Sequence, residues 1–83
     1  MNKEKLHSSI SEENANQIAT MRQNFKRLRQ EKGLSIEELS HASGIRTKIL
    51  ADIEEGRDFE VQYLILLCRL YQIQPHRIFF GLD

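Results

Sequence analysis

The chain has 83 residues, 40% of them hydrophobic and 29% charged, with 12 Lys/Arg balancing 12 Asp/Glu. That length allows one small core and excludes a multidomain enzyme, while the composition excludes a disordered chain. Zero net charge excludes the overall basic excess by which many proteins hold duplex DNA, so any surface for nucleic acid has to be a local patch. Charge is unevenly spread: residues 1–35 carry seven Lys/Arg against four Asp/Glu, and residues 36–60 carry three against seven. The single cysteine, Cys68, cannot form an intramolecular disulfide. No run approaches the roughly 18 apolar residues of a membrane span, and the N-terminus lacks the apolar segment of a signal peptide. A cytoplasmic location is expected, with no membrane partner.

Residues 1–10 mix charged residues, Ser and Asn with few apolar ones, and are expected to form a flexible N-terminal tail before a single domain over 11–83. Ser11, followed by Glu12 and Glu13, predicts a helix start. Ile18, Met21, Phe25 and Leu28 recur at spacings of three, four and three. They form one apolar stripe of a helix that runs to about Lys32 and is closed by Gly33. Ser35 and Glu38 have the spacing of a capping box, which opens a short helix over 36–43 with Leu39 and Ala42 inward and Gly44 at its end. A third helix covers 46–55, with Ile49 or Leu50 and Ile53 inward, and Gly56 stops it. After the Arg57-Asp58 turn, residues 60–72 predict a fourth helix that is apolar around most of its circumference. Pro75 suits the first turn of a last short helix over 76–80, from which Ile78 and Phe79 fold back. No strand period and no repeat is present, so the expectation is an all-α, compact five-helix domain.

Leu34 to Gly56 read as a helix-turn-helix, with the unit itself at 35–55. The first helix supplies an inward apolar residue, Leu39, and a small one where the helices cross, Ser40. The turn supplies Gly44, which tolerates a left-handed backbone, and then an apolar plug, Ile45. The second helix turns Leu50 and Ile53 inward.

With these residues in place, the chain resembles the lambdoid phage repressor and Cro-type (xenobiotic-response-element) helix-turn-helix family. The resemblance rests on Phe25-Lys26-Arg27-Leu28-Arg29, Gly33-Leu34-Ser35, Glu38-Leu39, Gly44-Ile45 and Leu50 through Ile53-Glu54-Glu55-Gly56, and it covers about residues 21–80. It implies a lambda-repressor-like fold and a sequence-specific, double-stranded-DNA-binding transcriptional regulator. It also implies a structural ion pair between Arg29 and Glu54, and a recognition helix at about 46–55 in the major groove. Base-reading positions fall to Thr47, Lys48, Ala51 and Asp52. Lys48 would donate to guanine, and Asp52 would accept from cytosine. Phosphate contacts fall to Lys26, Ser35, Arg46 and Arg57. Three features depart from the pattern. Ile36 stands where the family has a glutamine, Arg46 stands where it has a capping Ser or Thr, and Asp52, Glu54, Glu55 and Asp58 put negative charge beside the expected DNA face.

Those departures are similar to the cytoplasmic helix-turn-helix heads of RodZ-like cell-shape proteins, where the unit is a protein-interaction module without DNA binding. That reading stands as the alternative. His7, His41 and His76 lie far apart without ligand spacing, so no metal is expected. Cys68 is expected in the core, and Glu37, Glu38, Glu54 and Glu55 on the helix surface. No phosphate loop, carboxylate pair or nucleophile–base pair points to an enzyme, a cofactor or a small-molecule ligand. The apolar breadth of the fourth helix is read either as burial under the first helix or as a homodimer interface through Leu66, Leu70, Phe80 and Leu82.

Overall fold

The computed structural model describes the backbone of residues 3–82 and the side chains of residues 15–82. Four α-helices follow in order: α1 (Lys3–Glu31), α2 (Ile36–Ser43), α3 (Thr47–Glu55) and α4 (Val61–Leu70), and then a 3-10 helix, Pro75–Phe79. The expectation of five α-helices is thus corrected to four. After Pro75, bonds from Arg77 N–H to the Gln74 carbonyl and from Phe80 N–H to the Arg77 carbonyl span three residues each, and the segment ends before an α-helical turn is established. The start expected at Ser11 is also corrected, because α1 begins at Lys3. Residues 3–17 contain neither Gly nor Pro, so nothing in them interrupts a helix. Of the tail expected over residues 1–10, residues 3–10 have the helical backbone of α1, and residues 1 and 2 lie outside the described residues. The fourth helix closes at Leu70 rather than at residue 72. Gln72 adopts φ 56°, and the Ile73 N–H turns back to the Cys68 carbonyl.

The core consists of Met21 and Phe25 from α1, Leu39 from α2, Ile45 in the turn, and Leu50 and Ile53 from α3. Leu64, Leu67 and Cys68 of α4, then Tyr71 and Ile78, complete it. α1 packs on α3 and the 3-10 helix, and α2 bridges α3 and α4. A 29-residue helix is about 43 Å long at 1.5 Å per residue, whereas the molecule measures 50 × 27 × 17 Å. Ile18, expected inward, is 45% exposed at the rim of an apolar groove it shares with Val61 and Phe79. Ala42 is also exposed, since α2 buries Leu39 alone. Cys68 is buried, and desolvation pushes its thiol pKa up, so the thiolate is disfavoured. Among the described residues, no helix is long and apolar enough to cross a membrane.

Tyr71 is the one buried side chain whose polar atom lacks a hydrogen-bond partner among the described residues. Its ring lies tilted against Phe25, 6.3 Å between centroids. Burial pushes the phenol pKa up to about 12; the nearby Glu54 carboxylate adds to this, and Arg29 opposes it. Tyr71→Phe removes the unpaired hydroxyl and is expected to stabilise the fold by about 1–2 kcal/mol in urea unfolding. It should also flatten the alkaline limb of stability. With an ordinary phenol near 10 in the unfolded chain and about 12 in the fold, the Tyr71 contribution is intact below pH 10. It is lost as pH rises through about 12. A less stable Phe variant would mean that the hydroxyl is satisfied in solution.

Candidate nucleic-acid interface

The first helix of the pair is fixed at its start by a complete capping box. Ser35 Oγ accepts from the Glu38 N–H, and Glu38 Oε1 accepts from the Ser35 N–H, both at 3.0 Å. These bonds hold the Glu38 pKa below the usual carboxylate range. At the other end Gly44 takes φ 76°, and a Cβ there would meet nothing within 4 Å. The glycine is thus needed for conformation and not for space. Ser40 Oγ donates to the Ile45 carbonyl, and the Ile45 N–H donates to Ser43 Oγ, so two serines lock the turn that sets the angle between α2 and α3.

α3 is held from behind by α1. Arg29 donates through Nε and Nη2 to the two oxygens of Glu54 at 2.8 and 3.0 Å, and through Nη1 to the Leu34 carbonyl at 2.8 Å. The hydrogen bond to Glu54 raises the guanidinium pKa, so Arg29 keeps its charge. Two turns earlier on α1, Arg22 Nη1 donates to the Glu55 carbonyl at 3.0 Å, capping the C-terminus of α3. Gly56, at φ 83°, lets that arginine approach, because a Cβ at this position would lie 2.9 Å from Arg22 Nη1.

On the outer side, Arg57 pairs with Asp52 at 3.0 Å and with Glu55 at 2.7 Å, and the Asp52 bond raises its pKa. The consequence for charge is direct. All three carboxylates of α3 carry an arginine partner: Asp52 and Glu55 share Arg57, and Glu54 has Arg29. Summing isolated charges along the sequence overstates the negative face.

The residues expected at a DNA face are placed as follows. Arg46, Thr47 and Lys48 are exposed together at the start of α3, and Ala51 and Asp52 are half-buried one turn on. Arg46 is the N-cap of α3 without a side-chain cap bond, which leaves the first amides of that helix open to an acceptor. Lys26 is exposed and lines a depression of about 240 Å³ with Arg29, Ile36, Ala51, Glu54 and Glu55. Ser35 lies at the start of α2, with its hydroxyl hydrogen still available to donate. Sequence reasoning missed Arg22, and it also missed the pairing of Arg57 with Asp52 and Glu55. The second pair had a signal in the short Asp52–Arg57 separation across the Gly56 stop. The first had none, since 33 residues separate Arg22 from Glu55.

Two further surfaces flank this face. A groove of about 440 Å³ is lined by Ile49, Asp52, Asp58, Phe59, Glu60 and Tyr63. An apolar one of about 280 Å³ lies between α1 and α4, beside Ile18, Val61 and Phe79. Of the residues expected at a dimer interface, Leu66 and Phe80 are exposed, and Leu70 and Leu82 are half-buried. Among the described residues, no group of His, Cys, Asp and Glu is placed to hold a metal ion.

A helix-turn-helix family model of the Cro/C1 type matches residues 25–78, from the core phenylalanine of α1 to the buried isoleucine of the 3-10 helix. Neither the curated proteins nor the solved structures return a match.

Proposed function

The chain belongs to the Cro/C1-type helix-turn-helix family of DNA-binding regulatory domains, and on that premise we propose that it is a sequence-specific transcriptional regulator that sets α3 in the major groove. The observation that carries this reading is the pairing of Asp52, Glu54 and Glu55 with Arg57 and Arg29, which reduces three carboxylates to one net negative charge. It leaves Arg46, Thr47 and Lys48 as an exposed, cationic start to α3, next to uncapped amides. Lys48 donates to base edges. Arg46, Lys26 and Ser35 hold phosphates, and the remaining donors of Arg57 extend that contact beyond α3. Asp52, tied to Arg57, is a poor reader of cytosine.

Two copies would read half-sites about one helical turn apart. The exposed Leu66 and Phe80, with Leu70 and Leu82, supply apolar surface for such a homodimer. Selection from a random duplex library at low and moderate salt tests the whole reading, and enrichment of a palindrome is the expected result. On the selected duplex, Lys48→Ala should weaken binding by about 1–3 kcal/mol at fixed salt. Unchanged affinity removes Lys48 from base readout.

The second reading, a protein-interaction module without DNA binding, is favoured by the acidic and aromatic groove around Asp58, Phe59, Glu60 and Tyr63. It takes precedence if no duplex is retained even at low salt.

A further inference from the structure

We propose that the groove between α3 and the start of α4 binds a linear polyamine, an aliphatic chain that carries several ammonium groups. Ile49 and Asp52 of α3, the connecting residues Asp58, Phe59 and Glu60, and Tyr63 of α4 line it. Its volume of about 440 Å³ exceeds the 280 and 240 Å³ of the two other depressions, and it lies in the range of small-ligand sites. Half-buried Ile49, Phe59 and Tyr63 supply hydrocarbon and aromatic surface, and exposed Asp58 and Glu60 stand at the rim. No Lys, Arg or His lines this groove. Arg57 pairs with Asp52 at 3.0 Å but lines the neighbouring apolar groove instead.

Helix capping does not account for the rim carboxylates. Glu60 is the N-cap of α4, yet its side chain makes no cap bond. Among the described residues, neither Asp58 nor Glu60 has a side-chain hydrogen bond or an ion pair, and the Tyr63 hydroxyl has no protein partner. The way the charge is spread then selects the ligand. Asp52, Asp58 and Glu60 do not converge on a point, since no group of His, Cys, Asp and Glu among the described residues is placed to hold a metal ion. A ligand that meets all three must distribute its positive charge, and the apolar lining calls for hydrocarbon between the charges. A polyamine has that pattern. Its ammonium groups pair with the carboxylates and lie against Phe59 and Tyr63, while its methylenes cover Ile49. The proposal does not rest on DNA binding, although a cation bound here would lessen the negative charge beside α3.

The test uses the whole chain without DNA. Spermidine is titrated at constant ionic strength and followed through the backbone amide resonances. Saturable shifts centred on residues 49, 52 and 58–63 are the expected result, and magnesium at the same ionic strength should not reproduce them. Tyr63→Leu should weaken spermidine binding about threefold, the loss of one contact between a cation and an aromatic ring. The double variant Asp58→Asn with Glu60→Gln should weaken it about tenfold, the loss of two exposed ion pairs. Melting curves confirm that both variants are folded. Shifts that magnesium reproduces, or that spread over the whole surface, overturn the proposal in favour of diffuse charge attraction. Unchanged affinity in either variant overturns it as well. Absence of any saturable shift does the same, and leaves the groove to the protein partner of the second reading.

Discussion

Replacing Arg29 with methionine is expected to cost about 3–5 kcal/mol of folding stability, the usual consequence of stranding one member of a desolvated ion pair. Arg29 and Glu54 keep only 14% and 10% of their side-chain surface in solvent, and two parallel hydrogen bonds join them. Without the guanidinium, the carboxylate loses both donors and the Leu34 carbonyl loses a third bond. Domains carry roughly 0.05–0.15 kcal/mol per residue, so a chain of this length has about 4–12 kcal/mol in all. The single substitution therefore takes up much of that margin, and urea denaturation should show a large fall in midpoint. Glu54→Leu alone should be similarly damaging, because it leaves the cation buried. The double variant Arg29→Met with Glu54→Leu should recover most of the loss, since no charge is then left unpaired. If the two single losses add in the double variant, the pair is not the source of the effect.

Asn24→Leu should cost about 2–4 kcal/mol, although leucine is the better helix former and suits the apolar neighbours. Asn24 is 7% exposed on the inner face of α1, and its Nδ2 donates to the carbonyls of Ile78 and Phe80 at 2.8 and 2.7 Å. One amide thus ties the 3-10 helix to α1 across more than fifty residues of sequence, and leucine would leave two carbonyls without that donor. Asn24→Asp is the sharper test. At neutral pH its carboxylate would face two carbonyl oxygens and should destabilise at least as much as leucine. The folded-state pKa of that aspartate would be raised, so protonation at lower pH restores one donor and part of the stability. Thermal melts of both variants across pH 4–7 check the pair of outcomes. An aspartate variant as stable as the parent at pH 7 would show that the amide donors do not hold the C-terminal segment.

The helical pattern and the pair of helices at its centre were legible in the sequence because their causes are local. Ser35 and Glu38 sit three residues apart and bond across that interval, and Gly33, Gly44 and Gly56 all take left-handed backbones where helices end. The inward positions of Leu39, Ile45, Leu50 and Ile53 follow from spacing on short helices, and all four are buried. Where local signals were weak, the expectations drifted. Ser11, Glu12 and Glu13 suit a helix interior as well as a helix start, so they do not fix a beginning there, and a segment as short as Pro75–Phe79 cannot distinguish an α-helix from a 3-10 turn.

The sequence by itself determined that this chain is all-helical, where its helix-turn-helix lies, and which residues form the start of α3. Periodicity, caps and stops act between residues three or four apart, and the chain displays them directly. Only the tertiary structure decided what the outer face of α3 is. Asp52, Glu54 and Glu55 read in sequence as a negative surface, and the fold gives each an arginine, two of them by way of Arg57 and one from α1. It likewise decided that Arg22 caps α3, that Asn24 holds the C-terminal turn, and that Ile36 and Ala51 share one depression. The Arg22–Glu55, Asn24–Ile78 and Arg29–Glu54 contacts depend on residues distant in the chain being brought within about 3 Å, where hydrogen bonds and desolvation outweigh the sum of formal charges, whereas Arg57 reaches Asp52 across a separation of only five residues.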